Sequence, residues 1–488
     1  MTTQISFSEE QIQGLFGYEA AEDERSVRLR TYFFKNDAYN KTIADLPLRI
    51  LVGHKGIGKS AVFRVAYLEN EADKKLALWV RPDDIADLCN APNEGDDFLY
   101  LIKLWKEGLE KLIYDLIIEK IGDNIDNDKV YPHLTKGIKI VKSIAGMFSS
   151  ENFSVEKTQK TIVDNFFKKQ SVYIYIDDLD RGWTGTASSI RRISALLSAV
   201  RDLSNANEGL YFRISLRSDV YFLVRTSDES TDKIDGSVIW LKWTSHEILV
   251  LLAKRIQTYL GNRTSEKELL KKPQFKVAEY LYPVFCERFE GEGKWKDAPI
   301  YRILTSMIRR RPRDLVKLCV LAAREANYNG HKVIETVDFQ TVFDKYSQDR
   351  IQDVINEHRY ELPEVERLIL GMKPSRIEKK TEDAFVYSED KLIQKIEGIM
   401  RNGDFIFANG RKATAKDLLV FLYKINFLVG RKQTRDGYID RRYFEDNKYI
   451  STDYAEFGYL WEVHPAYRWA LYPESRSIAS YIDLESNI

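Results

Sequence analysis

Between residues 46 and 222, short apolar runs alternate with longer stretches of helical spacing. The runs are "LRILV" at 48–52, "KLALWVRP" at 75–82, "SVYIYID" at 171–177 and a segment ending in "YFRISLR" at 209–217. Helical spacing appears in "SAVFRVAYLEN" at 60–70, "FLYLIKLWKEGLEKLIYDLIIEKIG" at 98–122 and "SSIRRISALLSAVRDLS" at 188–204. Strands alternating with helices predict a parallel sheet covered on both faces. An insert over about 96–168 reads as mostly helical, with "DNIDNDKVYPHL" as a surface loop.

After residue 235 the rhythm changes. "GSVIWLKWTSHEILVLLAKRIQTYL" at 236–260 predicts a last strand and then a helix capped by Ser245, with Ile248, Leu249, Leu252 and Ile256 on one face. Helical spacing continues to about 348. In "TSMIRRRPRDLVKLCVLAAREA", Arg309, Arg310, Arg311 and Arg313 surround Pro312, which suits the first turn of a helix that Asp314 begins. These arginines form a solvated basic turn, reach a nucleotide, or bind the phosphates of nucleic acid. Within 349–488, "AKDLLVFLYKINFLVGRK" at 415–432 predicts an amphipathic helix ending at a glycine. "YIDRRYFEDNKYIS" and "EFGYLWEVHPAYRWAL" alternate as short strands do. A helix followed by a hairpin predicts a winged-helix-like module. The expected division is a helical segment at 1–45, a core at 46–235, a helical lid at 236–348 and the winged-helix-like domain at 349–488.

Composition narrows the classes. The chain has 488 residues, room for about two to four domains. Lys+Arg and Asp+Glu both number 74, which argues against a wholly basic nucleic-acid coat. Lys412, Lys416, Lys424, Arg431, Lys432, Arg435, Arg441 and Arg442 still tint the last domain basic, compatible with DNA backbone contact or with protein docking. The three cysteines are widely spaced, and the expected compartment is a reducing cytoplasm. No apolar run reaches the ~20 residues that span a bilayer, so no membrane partner is expected.

"GHKGIGKS" changes the picture most. Gly53, Gly58, Lys59 and Ser60 match GxxxxGK[ST] in full, between a predicted strand and a predicted helix. Glycines let main-chain N–H groups converge on phosphate, and the following helix aims its N-terminus at the same anion. The expected nucleotide-binding residues are Gly53, His54, Lys55, Gly56, Ile57, Gly58, Lys59, Ser60 and Ala61. Lys59 reaches the β- and γ-phosphates of ATP, and the Ser60 hydroxyl takes Mg²⁺. A carboxylate for that Mg²⁺ is expected at the end of a neighbouring strand. Asp177 has that position, and Asp178 beside it is the candidate for polarising the attacking water. Arg217, closing the strand at 209–217, is a candidate sensor of the γ-phosphate.

Together "GHKGIGKS", "YIYIDDLDR", "ISLRSD", "LKWTSHEILVLLAKRI" and "RRPRDL" resemble P-loop ATPases of the STAND and AAA+-related group, above all stand-alone bacterial ATPases that accompany antiphage defence systems. The resemblance covers about residues 16–345. It implies an α/β P-loop NTPase sheet, a helical lid and a winged helix in that order. It implies Asp177 for Mg²⁺, Asp178 for water, and Arg217 and Arg313 as sensors of nucleotide state. Asp178 stands where AAA+ proteins usually carry a glutamate, which fits slow or partner-stimulated hydrolysis. No nuclease, TIR-type or Toprim-type constellation is visible, so a separately encoded protein effector is expected, with a homo-oligomer as the working form. The rival readings are a Cdc6-like DNA-binding ATPase using the winged helix and a nucleotide-binding scaffold without turnover. A small-molecule P-loop kinase is a more distant one.

Overall fold

A computed structural model of the chain describes residues 5–86, 88, 97–122, 170–227, 229–381, 384–435, 437–446, 458–473 and 482–485. The expected loop at 123–134 and the remainder of the insert to 168 lie outside the described residues. These residues form two compact units. One comprises Lys35–Lys55 and Lys59–Leu241; the other comprises Met1–Phe34, Gly56–Gly58 and Lys242–Ile488.

The first unit is an α/β layer structure built on five parallel strands. They are β1 (Leu48–Gly53), β2 (Leu76–Val80), β3 (Val172–Ile176), β4 (Leu210–Arg217) and β5 (Val238–Trp240), in the order β2-β3-β4-β1-β5. β3 is buried at all five positions, and its β-branched and aromatic residues suit a strand covered on both sides. Successive side chains point to opposite faces. Tyr175 meets Phe63 and Tyr67 of helix α1 (Lys59–Ala72), with ring centroids 5.6 and 6.0 Å away. Val172, Ile174 and Ile176 join a core with Trp105 and Leu109 of α2 (Phe98–Gly122) and Leu196 and Val200 of α3 (Ala187–Ala206). Burying each such side chain contributes roughly 1.5–3 kcal/mol. This packing fixes where α1 begins, and so where the glycine-rich loop must run. Helix α4 (Ser218–Ser227) follows β4 without a break.

The second unit is mainly helical. Its principal helices are α5 (Ser245–Tyr259), α6 (Pro312–Asn329) and α7 (Thr336–His358), with a hairpin of β6 (Arg288–Glu290) and β7 (Lys296–Pro299). The cap of α5 is Thr244, not Ser245. Thr244 and Glu247 close a reciprocal capping box, and the Ser245 hydroxyl donates instead to Glu485 Oε2 at 2.9 Å. Pro312 takes the first turn of α6 as expected. The arginines around it do not form a solvated basic turn. Arg309 makes a two-pronged pair with Asp314, at 2.7 Å for both contacts, and Arg350 Nη1 reaches the same carboxylate at 2.7 Å. Arg311 lies 3.6 Å from Glu357, and Arg310 pairs with Glu485 and Asp446. Arg310 adopts a left-handed backbone, φ +52°, which turns the chain into α6.

Near the C-terminus, helix α8 (Ala415–Lys424) is shorter than the expected 415–432. Asn426 at φ +57° reverses the chain, and the apolar run "FLVG" enters a strand. β8 (Val386–Tyr387), β9 (Leu428–Gln433), β10 (Ile439–Arg442) and β11 (Leu460–Val463) form an antiparallel sheet in the order β10-β9-β11-β8. Here too charge is internally paired. Lys412 pairs with Asp404, Lys424 with Glu361, Arg431 with Asp483 and Arg442 with Asp440, while Arg441 is wholly buried against Glu462. Lys416, Lys432 and Arg435 remain exposed. The basic tint read from the sequence is therefore largely countered by carboxylates of the same unit.

Burial alone would raise the Glu462 carboxyl, but Arg441 and Arg468, with Arg431 beyond them, bring it down from 4.5 to about 2. A depressed carboxyl adds stability that is complete above its unfolded pKa and fades as pH falls through the folded one. The window is thus from 4.5 down to about 2. The contribution at neutral pH is about 3 kcal/mol at most. Glu462→Gln is expected to lower the urea midpoint at neutral pH and to flatten its decline over that acid window. An unchanged acid slope would refute this assignment.

Candidate nucleotide-binding site

The register of the sheet gathers the candidate residues. Gly53, the last residue of β1, lies opposite Arg217, the last of β4, and Ile176 of β3 lies opposite Ile214. Asp177 therefore emerges beside Ser215, whose hydroxyl donates to Asp177 Oδ1. β4 separates β1 from β3, while β5 lies on the other side of β1. The strand order reverses next to the glycine-rich loop, where open parallel sheets bind ligands at their carboxyl ends.

Residues 53–61 leave β1, turn, and enter α1. Gly56 and Gly58 take φ +76° and +104°. A Cβ on Gly58 would meet nothing within 4 Å, so its glycine serves the backbone conformation. At Gly56 a Cβ would come 3.1 Å from Cβ and Cδ of Arg313, so close approach matters there. The crest 56–58 belongs to the second unit, and two bonds hold it. The Arg313 N–H donates to the Gly56 carbonyl at 3.3 Å, and the buried Trp243 indole N–H donates to the Ile57 carbonyl at 2.8 Å. Arg313 Nε also donates to the Glu19 carbonyl at 3.3 Å.

Lys59 and Ser60 stand in the first turn of the 14-residue α1, and Ala61 follows. Lys59 Nζ donates to the carbonyls of Gly53 and His54, at 2.9 and 3.2 Å. His54 is buried, with Nδ1 3.1 Å from the Ser218 hydroxyl, which ties the exit of β1 to that of β4. Lys55 is exposed. Asp177 is buried and Asp178 is exposed, with φ +59° at Asp178. The two neighbouring carboxylates therefore live in different surroundings. Asp177 is an anchored acceptor and Asp178 is open to solvent.

This set suits a nucleoside triphosphate with a divalent cation. The helix N-terminus, the lysine and the open glycine backbone are anion chemistry. Among the described residues no group of three or more His, Cys, Asp and Glu side chains forms a metal cage. Magnesium keeps several waters and phosphate oxygens as ligands, so a hydroxyl and a carboxylate such as Ser60 and Asp177 are donors of the kind that would hold it.

Residues 246–355 match the family model of the FunZ-associated C-terminal helical domain. The chain is 23% identical over 457 residues to the "putative transposon gamma-delta 80.3 kDa protein" of Escherichia coli strain K12, covering 87% of this chain and 62% of that protein. It thus spans less than two thirds of that relative's length. Among solved structures, the Aeropyrum pernix ORC2 protein in its ADPNP–ADP complexes aligns at TM-score 0.39 and 13% identity, over 91% of this chain and 90% of that one. The Thermotoga maritima RuvB branch migration motor aligns at TM-score 0.30 and 9% identity, over 90% and 99%.

Three charged groups at the site complicate the sequence reading. Arg217 is held by carboxylates of its own unit. Its Nε and Nη2 donate to Asp219 at 3.1 and 2.7 Å, and its Nη1 lies 3.4 Å from Asp180 Oδ2. Burial raises the Asp180 carboxyl above its ordinary value, against the pull of Arg217 and Lys59. The motifs of the sequence assign no role to Asp180 or Asp219. The available signal was spacing: Asp180 lies two positions beyond Asp178, and Asp219 two beyond Arg217. Trp243 offered no such signal, because an apolar residue before a helix cap reads as packing.

Proposed function

We propose that the chain is an ATP-binding switch that hydrolyses slowly or on stimulation by a partner. Its nucleotide state would control self-assembly or recruitment of a separately encoded effector. What supports the reading is the common sheet edge at which Gly53 ends β1, Arg217 ends β4 and Asp177 follows β3. The division at 1–45, 46–235, 236–348 and 349–488 is part of the proposal. The likeness of the motifs to STAND ATPases of defence systems supports antiphage defence as the setting. The pairing of most basic side chains near the C-terminus favours this switch over the DNA-binding alternative.

In this reading Lys59 and the amides of the loop take the β- and γ-phosphates. Ser60 and Asp177 hold magnesium, which, when bound, neutralises charge on the phosphate oxygens. Asp178, exposed at the end of β3, accepts a hydrogen bond from the attacking water and orients it. Arg217 and Arg313 distinguish ATP from ADP. A ligand shifts a conformational equilibrium only by its differential affinity for the two states, so these sensors set how strongly ATP drives the switch.

Asp178→Asn tests the assignment. The side chain keeps its size and loses its charge, so ATP binding is expected to stay within about twofold of the parent. Phosphate release is expected to fall by about 10²-fold or more, the usual scale for general-base removal. Equal phosphate release by variant and parent under the same partner conditions would sink the role given to Asp178.

A further inference from the structure

The arrangement around Arg217 carries an inference that rests on the ATP-binding reading and deepens it. Arg217 closes β4 in register with Gly53, where the phosphate-binding loop begins. Its guanidinium is not aimed at solvent. Asp219, in the first turn of α4, grips it with two oxygens, and Asp180 approaches the remaining nitrogen. The side chains of Arg217, Asp180 and Asp219 are only 12%, 13% and 2% exposed. Screening by water is therefore weaker than for surface pairs.

The two carboxylates are not equivalent. Asp219 is close and bidentate, two residues along the same chain, and its position at a helix N-terminus favours its charge. Asp180 is longer and single-pronged, and sits in the turn after β3. That turn is made by Asp178 at φ +59° and Gly182 at φ +76°, closed by the Trp183 N–H donating to the Asp180 carbonyl at 3.0 Å. It brings Asp180 back to Arg217 and under the field of Lys59 as well. Asp180 is thus an internal anion set against the guanidinium that a γ-phosphate would engage.

We propose that Asp180 is a latch on Arg217: it holds the guanidinium when the γ-phosphate is absent and competes with that phosphate for it. Asp219 stays on the arginine in both states and keeps it oriented. Asp180 thereby sets how sharply the site separates ATP from ADP. ADP offers no γ-phosphate to displace it. The residue is a positioning group, because it acts through Arg217.

Titration of the full chain with fluorescent ATP and ADP analogues in magnesium tests this. Asp180→Asn is expected to tighten ATP about tenfold, the order set by one charge pair in a partly buried site, with ADP changed less than about twofold. The gain should vanish when Arg217→Ala is added, which a merely structural role for Asp180 would not require. Asp180→Ser, which also removes the charge, should reproduce the gain and serves if the asparagine variant does not fold. ATP binding by the variants equal to or weaker than the parent's would overturn the latch. So would equal tightening of ATP and ADP, or a gain that survives Arg217→Ala. Failure of the parent itself to bind either nucleotide would instead overturn the ATP-binding reading.

Discussion

Lys59→Ala is expected to abolish measurable ATP binding, with affinity at least about thirtyfold below the parent. Loss of a charged partner to phosphate at a partly buried position costs about 2–5 kcal/mol. Lys59 begins α1, where the loop amides and helix N-terminus already favour an anion, so its charge adds to a site of the same sign. Its ammonium donates to the Gly53 and His54 carbonyls, so it is already folded over the strand-to-helix turn. Those two bonds are to neutral main-chain carbonyls at the end of β1 and just beyond it, and losing them is expected to move the melting temperature by only a few degrees. Calorimetric titration of the variant with ATP, beside a thermal melt, separates lost binding from lost folding. Parent-like affinity in a folded Lys59→Ala chain would remove the basis for reading residues 53–61 as a phosphate cradle.

The parts that the sequence disclosed were those governed by local rules. A continuous β-branched and aromatic run such as Val172–Ile176 has few alternatives to a strand buried on both faces. The spacing of Gly53, Gly58, Lys59 and Ser60 encodes a backbone conformation, and the positive φ values at Gly56 and Gly58 are that conformation. What stayed hidden depends on partners far along the chain. Arg309 and Arg311 look like a basic surface until Asp314, Arg350 and Glu357 are brought round them by α6 and α7. Arg217 reads as a free sensor until the turn after β3 returns Asp180 to it. The end of α8 is hidden for a different reason. "FLYKINFLVG" is apolar at both helical and strand spacing, and only the left-handed Asn426 decides between them. The cap of α5 moved by one residue because Thr244 and Ser245 are both capping residues. Glu247, three positions beyond Thr244, selects the former through the capping box.

The second large effect concerns the hub of the second unit. Asp314 is fully buried and accepts from Arg309 Nε and Nη2 and from Arg350 Nη1, each at 2.7 Å. Burial would raise its carboxyl, yet Arg309, then Arg350 and Arg311, hold it well below the usual range. Removing one partner of a buried ion pair strands the other charge, at a cost of about 3–5 kcal/mol. Here Arg309, only 2% exposed, loses the carboxylate that grips it with two oxygens, while Arg350 loses one of two carboxylate partners and keeps Asp353 at 3.0 Å. Asp314→Ala is therefore expected to lose at least about 3–5 kcal/mol, a large share of a typical domain's stability. The reading is a urea titration of the intact chain. Part of the loss should be recovered by adding Arg309→Met, because replacing a buried pair with apolar groups of similar volume is often close to neutral. The recovery distinguishes stranded charge from lost packing, since the double variant removes more contacts than the single one. A double variant less stable than Asp314→Ala alone would mean that Arg309 contributes through its contact with Tyr467, whose hydroxyl lies 2.9 Å from its Nη1, and not through the carboxylate.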